Sequence, residues 1–408
     1  MKKILFVINS LTIGGSEKSL VSLLTLLDYK KYKVDLLMFR HGGEFEKYIP
    51  KEVNVLDELE YYAYLSNDKS KKYKFNRGRY AFYRVKTSIN LRKNLKKLTP
   101  IHAEQVLYKS HNKVLENLDK KYDVAIAYSQ GLPTYYVAEK VEANKKIAWI
   151  NCDYVTTMYD KEYDSKFYNK FFKIIAVSNS IRDSIGRLNK DYDKKMQVIL
   201  DIVDPKLIER MSQEEKVFQD KSYINILTVA RLVIAHKGYD IAINAAKLLK
   251  NDKYKFKWFV VGDGPDKEKI RQLIYENELE DCFILLGKKD NPYPYMKNCD
   301  IYVQPSKKEG FGLTVVEAKI LEKPILCTNF NTAKEIINNN YDGLIVEQSE
   351  KDVYLGLKRY IDNIKVYENI TNNLSKNEKY TSIKELSKIE ELFEGSEFNE
   401  GKCNYCSI

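Results

Sequence analysis

The chain has 408 residues, 44% of them apolar, and a formal net charge of +11. That length exceeds one ordinary hydrophobic core and points to two domains or more. No apolar run approaches the ~18 residues of a membrane-spanning helix, and the four histidines show no metal-ligand spacing, so the sequence offers neither a membrane-spanning helix nor a histidine metal centre.

The start, MKKILFVINSLTIGG, has the lysines and apolar stretch of a signal peptide. It runs into Gly14-Gly15 and Glu17-Lys18 without a small-residue cleavage pattern, so Ile4–Ile8 reads as a first buried strand of a cytoplasmic chain. A helix follows, with Leu20, Val21, Leu23, Leu24 and Leu27 on one face. The glycine pair between strand and helix permits close approach of a ligand, or of nothing more than packing neighbours. Lys33–Phe39 and Val53–Leu56 read as further strands.

Between Lys69 and Lys97 stand twelve basic residues and no acidic one, interleaved with Tyr73, Phe75, Tyr80, Phe82 and Tyr83. This stretch reads as a helical or loop insertion, within about residues 60–120, able to hold an anionic surface. The residue types allow acidic lipid headgroups, a diphosphate-linked acceptor or nucleic acid, and no nucleic-acid motif accompanies the charge. Leu91–Leu118 reads as helix broken near Pro100, and Tyr122–Tyr128 as a strand. After the helix Tyr135–Val141 comes a strand, Lys146–Ile150, leading into Asn151-Cys152-Asp153. Ile174–Val177 and Val198–Leu200 then close a domain spanning 1–205. Residues 206–222 read as a linker.

Strand and helix alternate again from 223 to 375: Ile224–Val229, a loop through Arg231 and Lys237-Gly238, the helix Ile241–Leu249, and Phe256–Val261 ending in Gly262-Asp263-Gly264-Pro265. Lys267–Asn277 is helical and Cys282–Leu286 a strand. Then comes DIYVQPSKKEGFGLTVVEAKILEKPILCT, a strand–loop–helix–strand unit carrying Glu309 and Glu317. Repeated alternation of this kind gives parallel, doubly wound sheets, whose ligands sit beyond the carboxyl ends of the strands. Residues 376–408 read as a helix and a disordered tail. Cys403 and Cys406 have zinc-like spacing without a second ligand pair, and the other cysteines read as reduced core thiols. Asp191-Tyr192-Asp193, between lysines, reads as a solvated turn rather than a metal site.

Two glutamates eight apart with Gly-Phe-Gly after the first resemble the signature of the retaining, GT-B-fold glycosyltransferases of family 4 (glycosyl transferases group 1). NSLTIGGSEKSL, LTVARLVIAHKGYDIAI, FVVGDGPDKEKI and GKKDNPYPYMKNCDIYVQPS are similar to that family's other segments, in the same order. The resemblance implies an α/β protein of GT-B architecture, two doubly wound Rossmann-like domains facing across a cleft, the first taking the acceptor and the second the donor. It implies that Arg231 and Lys237 grip the donor diphosphate, Glu309 the transferred sugar and Glu317 the ribose. Amides of Gly310, Phe311, Gly312, Leu313 and Thr314 assist, as do the turns at Gly14-Gly15 and Gly262-Gly264. The implied donor is a UDP- or GDP-sugar, with no cofactor and no metal. The implied acceptor is lipid-linked or a polysaccharide, and the basic stretch at 69–97 reads as the part of the chain that meets the inner face of an anionic membrane.

The pattern departs at Asn151, where many members carry histidine. Asparagine cannot shuttle a proton near neutral pH. Either Asp153 takes a polar role or the donor phosphate receives the acceptor proton, and a non-catalytic nucleotide-sugar-binding subunit is the alternative function.

Overall fold

The structure, a computed structural model, describes residues 1–12, 14–66, 76–152, 154, 157–186, 189–215, 217–218, 220, 222–376 and 382–395. Asp153, the lysines at 69, 71, 72 and 74, and Cys403 and Cys406 lie outside these residues.

In chain order the first part runs β1 (Lys2–Ile8), α1 (Gly15–Leu26), β2 (Tyr32–Met38), β3 (Asn54–Val55), α2 (Glu60–Leu65), α3 (Arg77–Leu95) and α4 (Ala103–His111). It continues with β4 (Leu118–Ala127), α5 (Leu132–Lys140), β5 (Val141–Ile150), α6 (Lys161–Tyr168), β6 (Lys173–Ala176), α7 (Asn179–Gly186) and β7 (Met196–Val198). Then come α8 (Pro205–Met211), β8 (Ile224–Val229), α9 (Ile234–Lys237), α10 (Tyr239–Asn251), β9 (Phe256–Val261), α11 (Lys267–Glu276), β10 (Phe283–Gly287), α12 (Tyr293–Asn298) and β11 (Ile301–Gln304). The chain ends with α13 (Leu313–Ile320), β12 (Ile325–Thr328), α14 (Ala333–Ile336), β13 (Leu344–Val346), α15 (Glu350–Ile361), α16 (Ile364–Lys376) and α17 (Ile383–Glu394).

These elements form two compact units, one of Met1–Ile202 with the chain from Ser382 onward, the other Val203–Thr381. The first holds a seven-stranded sheet in the order β3-β2-β1-β4-β5-β6-β7, the second a six-stranded sheet in the order β10-β9-β8-β11-β12-β13. Every strand pair in both is parallel. Parallel strands are covered on both faces, which is why Ile4–Ile8 and Ile301–Gln304 are buried without alternation. In the second unit the order reverses between β8 and β11, so the loops leaving those two strands diverge and open a crevice at the sheet's edge. Beneath it Trp258 is fully buried, its Nε1 donating to Thr228 Oγ1 at 3.0 Å, while Thr228 donates to the Val303 carbonyl at 2.8 Å.

The helix expected over 91–118 is broken near Pro100 as expected, but its first part starts at Arg77, its second ends at His111, and Leu118 already belongs to a strand. α3 begins at Arg77 and stops at Leu95, where the Asn94 carboxamide turns back to bond both the N–H and the carbonyl of Ile101 across Pro100. β4 starts at Leu118, four residues early, because its polar first half pairs with Val141–Ala143 although its lysines face solvent. Residues 205–211, in the stretch read as linker, form α8, capped by Asp204 and packed on α12 and α13 of the second unit.

The last helix belongs to the first unit. Glu385 accepts from Leu200 N at 2.8 Å, and the Phe393 ring meets Phe6 and Tyr32 edge-on at 6.4 and 5.3 Å. Lys2 donates to the Phe393 carbonyl at 2.9 Å and Lys145 to the Leu392 carbonyl at 3.4 Å, placing two cations on the helix's negative end. Burial rather than charge dominates here: a buried phenylalanine truncated to alanine costs ~3–5 kcal/mol, an exposed ion pair at most ~1 kcal/mol. Trp149 and Trp258 are the only tryptophans, one in each unit. With Trp258→Phe leaving Trp149 to report on the first unit, Phe393→Ala should lower its urea midpoint strongly and Glu394→Gln barely. Equal shifts would contradict this ranking.

Candidate active site

The crevice of the second unit is built around the Glu309 carboxylate. Lys237 Nζ reaches Glu309 Oε2 at 2.6 Å, while Gln304 Nε2 and Ser306 Oγ donate to Oε1 at 2.9 and 2.6 Å. Gln304 is itself saturated: its Oε1 accepts from Tyr302 at 2.7 Å and from Thr314 at 3.3 Å, and its amide also donates to Ser306 Oγ at 2.9 Å. A buried amide with all its bonds made has one orientation, and it fixes the acid beside it.

Two loops supply this cluster, and backbone bonds hold them together. Lys307 and Lys308 N–H both donate to the His236 carbonyl, at 2.8 and 3.1 Å. Gly238 closes α9 in the left-handed region at φ 63°, and a Cβ there would stand 1.9 Å from the Pro305 carbonyl oxygen. Only glycine both takes that turn cheaply and lets Lys237's loop approach Glu309's. On the far side Asn331 clamps Glu309, accepting from its N–H at 3.1 Å and donating to its carbonyl at 2.9 Å.

Past Glu309 the chain enters α13 through Gly310, Phe311 and the N-cap Gly312. Thr332 pins the Phe311 carbonyl at 2.8 Å. Among the described residues the amides of Gly310 through Thr314 donate no hydrogen bond, as the first N–H groups of a helix do not. Glu317, one turn on, is buried and accepts from Tyr293 OH at 2.9 Å. Burial, and then the charges of Glu317 and Glu309, push the Tyr302 hydroxyl between them well above the usual phenol range. Arg231 leaves β8 as far past the ladder as Ser306 leaves β11, so the two stand at one level of the sheet edge. It is exposed and, among the described residues, makes no ion pair. The Gly262–Gly264 turn is bonded to Arg231's neighbour: Leu232 N donates to the Asp263 carbonyl at 3.0 Å, and Asp266 N to the Leu232 carbonyl at 3.1 Å.

Of the residues expected in the first unit, Gly14 and Gly15 follow β1 and Asn151 follows β5, with β4 between those strands. Gly14 caps α1, and a Cβ on it would meet Glu17 Oε2 at 2.2 Å; Gly15 opens the helix. The acid at that helix start is Glu17 itself, held by Ser16 at 2.7 Å. Asn151 donates to the Tyr128 carbonyl at 2.8 Å and takes the Gln130 side chain on its N–H at 3.0 Å, while its Oδ1 is buried without a partner among the described residues. Beside it Glu104 accepts from Asn9 Nδ2 at 3.1 Å and from Leu132 N at 2.9 Å, and burial raises its pKa. Gln304, Ser306, Tyr293 and Asn331 in one unit, and Asn9 and Glu104 in the other, are polar residues that sequence reasoning passes over. The Gln-x-Ser-x-x-Glu spacing was the only local signal for any of them.

The glycosyl transferases group 1 profile matches residues 209–377, which hold this whole crevice. The chain is 28% identical over 235 residues to a Campylobacter jejuni N-acetylgalactosamine-N,N'-diacetylbacillosaminyl-diphospho-undecaprenol 4-alpha-N-acetylgalactosaminyltransferase, covering 55% of this chain and 62% of that one. Over residues 209–377 the chain is similar to the glycosyl transferases group 1 family.

Another Campylobacter jejuni relative, an N,N'-diacetylbacillosaminyl-diphospho-undecaprenol alpha-1,3-N-acetylgalactosaminyltransferase, is 27% identical over 74% of this chain and 78% of its own. An uncharacterized glycosyltransferase of Methanocaldococcus jannaschii is 31% identical over 43% and 46%. The chain thus spans 62% and 46% of the first two curated relatives it matches. Among solved structures, Anabaena HepE in complex with UDP and glucose superposes at a TM-score of 0.69 with 16% identity, over 97% of this chain and all of that one. Staphylococcus aureus TarM gives 0.65 and 17% over 96% and 99%. The chain therefore has the GT-B architecture.

One acid near the first-unit edge carries a pH signature. Asp201 is buried, one of its oxygens unpartnered among the described residues, and burial lifts its pKa from an ordinary 3.8 to about 7, Ser19 opposing and the Glu17 charge adding to the rise. A folded pKa above the unfolded one means stability is complete below about 4 and falls until about pH 7. At ~1.4 kcal/mol per tenfold in proton affinity, the loss is bounded near ~4 kcal/mol. Asp201→Asn should match the parent's unfolding midpoint near pH 4 and exceed it at pH 8. Parallel pH profiles would contradict it.

Proposed function

We propose that this chain is a retaining, metal-independent glycosyltransferase. It moves a sugar from a UDP- or GDP-sugar to a lipid-linked or polysaccharide acceptor in cell-surface glycan synthesis. The observation that carries the reading is the Lys237–Glu309 pair beside unbonded α13 amides, at the point where the second sheet reverses order.

Breaking the bond between anomeric carbon and diphosphate leaves negative charge on the phosphate. Arg231, Lys237 and the amides of Phe311 through Thr314 supply positive charge and donors to meet it. Glu309 and Glu317 are acceptor-only groups, suited respectively to hydroxyls of the sugar and of the ribose. Lys237, already ion-paired to Glu309, ties the phosphate end of the donor to the sugar end. Asn151 holds a hydroxyl but moves no proton, which fits attack from the leaving-group face with the departing phosphate oxygen taking the acceptor's proton. HepE, which was solved with UDP-glucose, and the Campylobacter jejuni enzymes, named for diphospho-undecaprenol acceptors, support the donor and acceptor classes. Among the described residues no helix is long and apolar enough to cross a membrane. On this reading the chain meets a lipid-linked acceptor from the cytoplasmic side, as a peripheral protein.

Asn151 also favours a second reading, a subunit that binds nucleotide sugar without turning it over. Calorimetry with UDP- and GDP-sugars, followed by radiolabel transfer to isolated membranes, separates the two. Lys237→Met should cut transfer by about 10²–10³, the usual cost of removing one donor to developing charge. Glu317→Gln should weaken nucleotide binding about 10-fold or more, through a lost charged hydrogen bond. Unaltered transfer by Lys237→Met would sink the catalytic assignment, and donor binding without turnover would favour the second reading.

A further inference from the structure

Helix α3 is turned inside out. Its buried positions are Tyr80, Thr87 and Asn94, one heptad apart, at 3%, 7% and 6% exposure. On the opposite face, at 82, 85 and 89, stand Phe82, Val85 and Ile89, exposed to 63%, 58% and 45%. A helix packed on a water-soluble protein does the reverse, burying its apolar face. The arrangement is held by polar contacts inward: Tyr80 OH donates to Glu60 at 2.6 Å, Asn90 to Ser110 at 2.9 Å, and Asn94 brackets Ile101. The apolar row is therefore fixed outward. Leu95, the last residue of α3, and Leu98 beyond it are also exposed.

Charge identifies what covers the row. Residues 77–97 contain eight cations and no acid. At 100° per residue, Arg79, Lys86 and Lys93 form a file along one flank, Arg92 continues the apolar line itself, and Lys96 and Lys97 follow at the helix end. From Phe82 to Ile89 the row is about 10 Å long. A row of three side chains falls far short of the roughly 20–30 residues and ~800 Å² per partner of a stable protein interface, whose cores are also poor in lysine. Nucleic acid would engage the cations and leave aliphatic Val85 and Ile89 bare. A short apolar ridge edged with lysine and arginine suits the boundary between anionic headgroups and acyl chains.

We propose that α3 lies on an anionic lipid bilayer, with Phe82, Val85 and Ile89 inserted below the headgroups and the flanking lysines and arginines at phosphate level. This deepens the proposed function, and it rests on that reading for why a membrane is present but not for the binding itself. The test is flotation of the full chain with phosphatidylcholine vesicles, with and without phosphatidylglycerol. The parent should float with the anionic vesicles only, and less at high salt. Phe82→Ser/Val85→Ser/Ile89→Ser should lose about tenfold or more in partitioning although every cation remains. Lys86→Glu/Lys93→Glu should lose it through charge. Unfolding midpoints near the parent's confirm that both variants fold, as expected for exposed positions. Equal flotation of the serine variant and parent overturns insertion. A parent that ignores anionic vesicles, or that self-associates without lipid until the serine changes abolish it, overturns the membrane as occupant. Nucleotide-sugar calorimetry on the same proteins reads the transferase assignment separately: loss there with intact flotation leaves this proposal standing.

Discussion

A carboxylate taken out of bulk water must find donors, and the second unit is arranged to give them to Glu309. Lys237 comes from one loop and Gln304 and Ser306 from the end of the neighbouring strand, so satisfying one acid joins two segments remote in sequence. The junction also needs Gly238, since any side chain there would strike the Pro305 carbonyl and part the loops. The segments after Glu309 take their positions from it: the glycine-bracketed turn, the start of α13 with its unbonded amides, and Glu317 beneath Tyr293. The same few contacts thus set where cations, acids and N–H groups stand relative to one another.

The first unit meets the same demand three ways. Asp164 collects hydrogen bonds from Gln105, Tyr135 and Tyr154. Glu104 takes a carboxamide and a helix-start amide, so its acid organises the turn at Gly131 where α5 begins. Asp201, with fewer donors, is driven toward its neutral form instead. These acids gather near the sheet edge that presents Asn9 and Asn151, and they hold that edge in shape without themselves being read from any motif.

Much of the architecture was legible because parallel strands covered on both faces are written as continuous apolar runs, as in Ile4–Ile8, Phe256–Val261 and Ile301–Val303. The charged residues of the second unit were legible through their spacing around glycines. Gln304 and Ser306 were not, because within IYVQPS they read as the fading end of a strand, and only the fold brings Glu309 back over them. β4 was clipped because its first half, Leu118 to Lys121, is an irregular stretch of ladder whose Asp119, Lys120 and Lys121 are charged and exposed, which leaves no apolar mark. The partners of Phe393 stand at the other end of the chain, so no window along the sequence could associate them. α3 was read for its charge, while its orientation was hidden: a row of Phe82, Val85 and Ile89 normally signals the inward side.

Because α17 returns to pack on β1 and β2, the second unit is bounded by two crossings, near Ile202 and Ser382, and is otherwise one uninterrupted length of chain. A segment with only two joints is a cassette that recombination can exchange whole, leaving the discontinuous partner to be assembled around whatever replaces it. The stretch 209–377, where family resemblance concentrates, falls inside that cassette. Lineages sharing the fold can then keep this half in common while the half that flanks it in sequence drifts.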